Sequence, residues 1–151
     1  MPTQGLWFPN RTWFTQCATR QQRRVVPRDA AKIVRTYLRL VEARDLDAAS
    51  EFLADDVVIV FPGGRTFGSL TDQVTSSAGR FRSVKKTLDQ LDVLSDGAEA
   101  TVYVYGTLAG QALDGSSFAG VRFIDRFALN DGQIVSQMVW NDLAEVGALP
   151  A

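Results

Sequence analysis

Val121-Arg122-Phe123-Ile124-Asp125-Arg126-Phe127 is the stretch on which the reading of this 151-residue chain turns. At period two, Val121, Phe123, Asp125 and Phe127 share one face, while Arg122, Ile124 and Arg126 share the other. Alternate side chains of a strand point to opposite faces of the sheet. The first row is therefore the core-facing one, and it contains the only carboxylate of the stretch. A carboxylate buried among apolar side chains costs free energy unless it is hydrogen-bonded, paired or protonated. Perturbed acids cluster at functional sites, so Asp125 is the first candidate site residue. The structural reading is that Asp125 ends a strand or pairs with a neighbouring arginine.

The segments around this strand complete an antiparallel sheet. Val84–Leu94 reads as a long strand whose alternation slips near Asp89-Gln90, the mark of a bulge. Asp96-Gly97 turns the chain into a strand from Ala100 to Ala109, and Asp114-Gly115 leads into Phe118–Leu129. Asn130-Asp131-Gly132 then turns into Ile134–Trp140.

Upstream, the period changes to that of a helix. Pro27 suits a first helical turn and Asp29 its positive end. Ala30, Ile33, Val34, Tyr37, Leu40 and Val41 then form an apolar stripe. A short second helix is expected with Asp47 as its cap, then a turn at Ala54-Asp55-Asp56, then the apolar strand Val57–Phe61, stopped by Pro62-Gly63-Gly64. Ser69 and Asp72 form a capping box for a third helix running to about Arg82. Its apolar stripe is thin, which suits an element lying over a cavity. The order is α+β: a strongly curved, cone-shaped antiparallel sheet wrapped on three N-terminal helices and enclosing an apolar pocket.

Composition narrows the chemistry. The chain has no histidine and one cysteine, Cys17. Imidazole acid–base catalysis, Ser-His-Asp triads and His-bearing zinc sites are excluded, as is an intrachain disulfide. No Asp/Glu cluster has metal-ligand spacing and no Gly-rich strand-to-helix loop is present, so neither metal nor cofactor is expected. A single cysteine fits a reducing compartment, here the cytoplasm. The net charge is −1, with the basic excess in the first 44 residues. Much of that excess falls on the polar face of the first helix, and neither nucleic acid nor membrane is expected as a partner.

Residues 27–146 read as one domain and 147–151 as a C-terminal tail. Residues 1–26 carry Trp7, Phe8, Trp13 and Phe14 and then Arg20-Gln21-Gln22-Arg23-Arg24. They read either as a loosely held extension or as an aromatic arm packed on the domain or a partner subunit.

Four motifs carry a family resemblance: Tyr37-Leu38 with Ala43-Arg44-Asp45-Leu46-Asp47, Phe52-Leu53-Ala54-Asp55-Asp56, Ile124-Asp125-Arg126-Phe127, and Asn130-Asp131-Gly132-Gln133-Ile134-Val135. Together they resemble the nuclear transport factor 2-like, or SnoaL-like, superfamily over residues 28–146. Locally the chain is similar to ketosteroid isomerases and polyketide cyclases. In the isomerases a first-helix tyrosine and a neutral aspartic acid on a late strand form an oxyanion hole. Tyr37 and Asp125 match those positions. The isomerase base stands just before the proline ending the first strand, and here that residue is Phe61, which cannot take a proton.

The resemblance implies a pocket lined by Phe61, Val121, Phe123, Phe127, Gln137, Val139 and Asn141, with Trp140 as a further wall candidate because a one-residue slip in the last strand exchanges its two faces. Asp125 and Tyr37 are the expected catalytic pair. The expected activity is cofactor-independent acid–base chemistry on a small apolar or cyclic molecule. A binding module without chemistry and a protein-interaction domain are the competing readings. Tyr103, Tyr105 and Trp140 on the outer sheet face point to a homodimer.

Overall fold

The computed structural model describes residues 29–148. The expectations for residues 1–26 and for Pro27 lie outside the described residues. Helix α1 (Ala30–Glu42) opens at Asp29, whose carboxylate accepts the Lys32 N–H at 3.2 Å. An acidic cap satisfies an orphan donor and complements the helix dipole. Ala30, Val34, Tyr37 and Leu38 form its buried stripe.

The chain reverses at Arg44, which sits at φ 62°, and α2 (Leu46–Ser50) begins there. Its cap is Asp45, which accepts from Ala48 N at 3.3 Å. Asp47, expected as the cap, lies in the first turn instead, because the reversal at Arg44 comes earlier than the sequence suggested.

Strand β1 runs from Leu53 to Phe61. Ala54-Asp55-Asp56 is therefore strand rather than turn. The register shifts between Leu53 and Val58, so Asp55 and Asp56 bulge outward and stay exposed. After Pro62-Gly63-Gly64 a three-residue strand, β2 (Arg65–Phe67), pairs back on β1. Helix α3 (Leu70–Ala78) has Ser69 as its cap, accepting from Asp72 N at 3.1 Å and donating to the Asp72 carboxylate at 2.8 Å. It stops at Gly79 rather than reaching Arg82, because Phe81 already pairs with Ala112 in the sheet.

The remaining chain is the meander β3 (Phe81–Asp96), β4 (Glu99–Ala112), β5 (Ser117–Asn130) and β6 (Gln133–Asn141). The six strands lie in the order β2-β1-β6-β5-β4-β3. Every junction is antiparallel except β1 with β6, which is parallel. Asp131 and Gly132, at φ 49° and 83°, form the two-residue turn between Asn130 and Gln133, as a primed hairpin turn requires.

The expected slip in β3 is present: Leu88 faces Gly106 while Gln90 faces Tyr105, leaving Asp89 unpaired. Such a bulge bends the strand and increases its twist. Gly106 sharpens the bend. A Cβ there would collide with the Thr87 carbonyl oxygen and stand 2.9 Å from the Phe123 ring. The backbone of β3 and the ring of Phe123 thus close on β4 at a position only glycine can occupy. The curved sheet folds over α1, and Val34, Tyr37, Ile59, Val102, Val104, Phe127 and Ile134 are buried between them.

Candidate functional site

A cavity of about 310 Å³ lies between α1, α3 and the concave face of the sheet, at the small end of the range for ligand pockets, roughly 300–1,000 Å³. Its apolar wall includes Leu38, Phe61, Val74, Leu88, Leu108 and Phe123. Gln73, Val74, Ser77 and Ala78 bring α3 to its edge, the role its thin apolar stripe suggested.

Of the residues named from sequence, Tyr37, Phe61, Phe123, Gln137, Val139 and Asn141 line the cavity. Three do not. Val121 and Phe127 are buried at 3% and 0% exposure and pack in the core instead of forming cavity wall. Trp140 faces Ile124 on the outer side of the sheet and is 49% exposed. The pairing of Asp125 with Val139 fixes the register of β6 and sends Trp140 to the far face.

Asp125 occupies the inward row and is fully buried. It is not among the residues whose surface forms the cavity wall. It is also not alone. One carboxylate oxygen, Oδ2, pairs with the Lys86 ammonium, while Oδ1 has no hydrogen-bond partner. Lys86 lies two strands away on β3 and does line the cavity. The register places Lys86 beside Leu108 and Val121, and Asp125 beside Val104 and Val139. Between them lies the row Leu88, Gly106 and Phe123. Lys86 spans that row with its Nζ 4.5 Å from the Phe123 ring centre, a cation–π contact that helps to hold it. Pairing with a neighbouring cation was one of the two readings of this residue; the cation is Lys86, two strands away, and not an adjacent arginine, because the bulge and Gly106 draw β3 close enough for a lysine to reach.

The same alternation that singled out Asp125 would have found this lysine. Val84, Lys86 and Leu88 form one inward row, and a cation in such a row needs a partner as much as an anion does.

Tyr37 is 1% exposed, and its hydroxyl donates to Gln137 Oε1 at 3.0 Å. Its ring meets Phe127 edge-on at 5.9 Å. Burial, and then the nearby Asp125 charge, push the Tyr37 hydroxyl well above its ordinary value of 10.0. Tyr37 is therefore a proton-holding donor and not a base. Asn141 accepts from Leu143 N at 3.2 Å and closes the end of β6. Among the described residues no group of three or more His, Cys, Asp or Glu gathers as metal ligands would.

With this geometry in place, comparison with known proteins decides the family. The family model described as a SnoaL-like domain matches residues 34–137, more than half of the chain. The chain belongs to the SnoaL-like family. Solved structures agree on the fold of this SnoaL-like domain. A nuclear transport factor 2-like protein of unknown function from Burkholderia pseudomallei superposes with a TM-score of 0.68 at 21% identity, covering 80% of this chain and 95% of that one. A candidate ketosteroid isomerase from Shewanella frigidimarina gives 0.62 at 18% identity, covering 74% and 94%. A candidate polyketide cyclase from Xanthomonas campestris gives 0.59 at 19%, covering 80% and 95%. At these identities the likeness concerns the fold. No curated protein matches the sequence. Among the described residues no helix is long and apolar enough to cross a membrane.

Proposed function

We propose that this SnoaL-like domain is a cofactor-independent enzyme that moves a proton on a small cyclic or apolar substrate held in the cavity. The observation that supports this most is the buried Lys86–Asp125 pair, with one oxygen of Asp125 unpartnered. Two apolar residues would fill the same space at no electrostatic cost, since a buried ion pair seldom gains more from attraction than it loses in desolvation. A polar device kept at that cost inside a cavity is a functional-site hypothesis.

In this reading Asp125 accepts the proton through Oδ1. The Lys86 ammonium then faces the oxygen on which negative charge develops, while the Tyr37 hydroxyl, whose one proton is donated to Gln137 Oε1, holds the Gln137 amide at the cavity wall. Donors fixed before reaction are the main electrostatic contribution to such chemistry. With no histidine in the chain and Phe61 at the end of β1, Asp125 is the carboxylate whose charge reaches Tyr37, whereas Glu42, the one carboxylate on the cavity wall, is exposed. One observation favours a binding module without chemistry: Asp125 lies behind the cavity wall, and its Oδ2 is already taken by Lys86.

Cyclic ketones such as 2-tetralone are incubated with the protein in D₂O, and loss of the α-proton signal is followed by NMR. Deuteration faster than in buffer supports proton abstraction. Buffer-rate exchange across the panel would leave the binding module as the better reading.

We also infer a homodimer through the outer sheet face, where Ile124 and Trp140 are 39% and 49% exposed and lie in one cross-strand row with Tyr105. The single cysteine suits a reducing, cytoplasmic setting.

A further inference from the structure

The wall and rim of the cavity have a charge that the chain as a whole does not. The protein carries 16 Lys/Arg and 17 Asp/Glu, a net charge of −1. Yet Arg35, Arg39, Arg44, Arg65, Arg80 and Arg82 line the cavity, with Glu42 as the one carboxylate among the lining residues. Lys86 is already paired with Asp125. The arginines are not, since among the described residues none of the six has an acidic side chain within ion-pair distance. Residues 1–28 and 149–151 contain no Asp or Glu.

Two of the six differ from an ordinary solvated face. Arg65 and Arg80 are half-buried, whereas Arg35, Arg39, Arg44 and Arg82 are exposed. Arg65 is fixed in place: it donates through Nη1 to Ser76 Oγ at 3.3 Å and through Nε to the Pro62 carbonyl at 3.5 Å, and it lies 6.0 Å from the Phe67 ring centre. Arg80 lines the same cavity. Burial, and then the Arg65 charge, lower the Arg80 guanidinium below its ordinary value. Like charges held together and partly desolvated cost free energy unless an anion joins them. The C-terminus of α3 lies beside Arg80, since Arg80 N donates to Ser77 O. A helix end offers only about half a negative charge, too little for two guanidinium groups.

We propose that the substrate of this site is an organic oxyanion: an apolar ring body in the cavity, carrying a carboxylate or phosphate that Arg65 and Arg80 bind. This deepens the proposed function and rests on its cavity. The exposed arginines at the rim raise the local concentration of such anions and speed their entry. Guanidinium groups suit the task because their planar N–H fork matches both carboxylate and phosphate oxygens.

The experiment uses three probes of one shape: 2-naphthoate, 2-naphthyl phosphate and the neutral 2-naphthamide. Binding to the full-length protein is measured by fluorescence titration at about 20 mM salt, where screening is weak. At least one anion should bind ten-fold or more tightly than the amide, and which anion binds better identifies the carried group. Arg80→Gln and, separately, Arg65→Gln should each weaken the anion about ten-fold and change the amide by less than two-fold. Arg80→Gln leaves the Ser76 and Pro62 contacts intact, so it separates charge from folding. Equal affinity for all three probes would overturn the anion preference while leaving the cavity reading in place. If none of the three bound, the cavity reading itself would fail, and the oxyanion with it.

Discussion

Lys86→Met is the most revealing single change, because it removes the ammonium and keeps the apolar stem. Asp125 is fully buried and Oδ1 already lacks a partner, so the variant would leave both oxygens unsatisfied. Removing one member of a buried pair costs about 3–5 kcal/mol. Lys86 is 26% exposed, which lets water reach the site and favours the low end, about 3 kcal/mol. With a urea slope of about 2 kcal/mol/M, the unfolding midpoint should fall by about 1.5 M. Asp125→Leu should cost less, about 1 kcal/mol, because the freed lysine can turn to solvent. The double variant should recover to within about 1 kcal/mol of wild type, giving a coupling energy of about 3 kcal/mol in the cycle. Urea titrations of the four proteins at neutral pH make the measurement. A Lys86→Met cost below about 1 kcal/mol, or a double variant as unstable as the sum of the singles, would refute the buried-pair account.

Tyr37→Phe should flatten the alkaline limb of the stability curve: the folded value of Tyr37 is raised, so its contribution is complete below pH 10.0 and is lost as pH rises above it. Denaturant midpoints of both proteins from about pH 9 to 11.5 check the sign, and parallel curves would contradict it. Gly106→Ala should destabilise by about 2–4 kcal/mol, since its methyl meets the Thr87 carbonyl and the Phe123 ring; thermal unfolding within about 2 °C of wild type would mean that the bend does not depend on this residue. Trp140→Glu should convert the inferred dimer to a monomer at micromolar concentration without unfolding it, as light scattering with circular dichroism can show; a wild-type monomer would remove the dimer outright.

The sheet was legible because its signals are local. Asp131-Gly132 has the composition of a primed turn, the slip at Asp89 marks a bulge, and the alternation around Asp125 fixes which row is inward. Strand β2 was not legible: three residues between a glycine turn and a helix cap give no period to read. The Asp125 partner was hidden for a different reason. Lys86 is 39 positions away, and only the bend at Gly106 brings the two together. Local pattern reports which face a side chain takes, whereas the distance across a curved sheet depends on bulge and glycine acting jointly. The cationic wall was missed in the same way. The arginines of α1 read as one solvated helix face until β2, the end of α3 and the start of β3 bring Arg65, Arg80 and Arg82 to the same cavity.

The central claim is that Asp125 takes a proton from a molecule bound in the cavity. The most direct measurement is the α-deuteration rate of 2-tetralone in D₂O for wild type and Asp125→Asn, alongside 2-naphthamide affinity for both. Replacing a general base removes about 10²–10⁴-fold in rate. The account predicts at least a hundred-fold fall in exchange, with amide affinity unchanged within two-fold. Exchange that persists in Asp125→Asn at the wild-type rate would contradict it, and would reduce Asp125 to the ion-pair partner of Lys86.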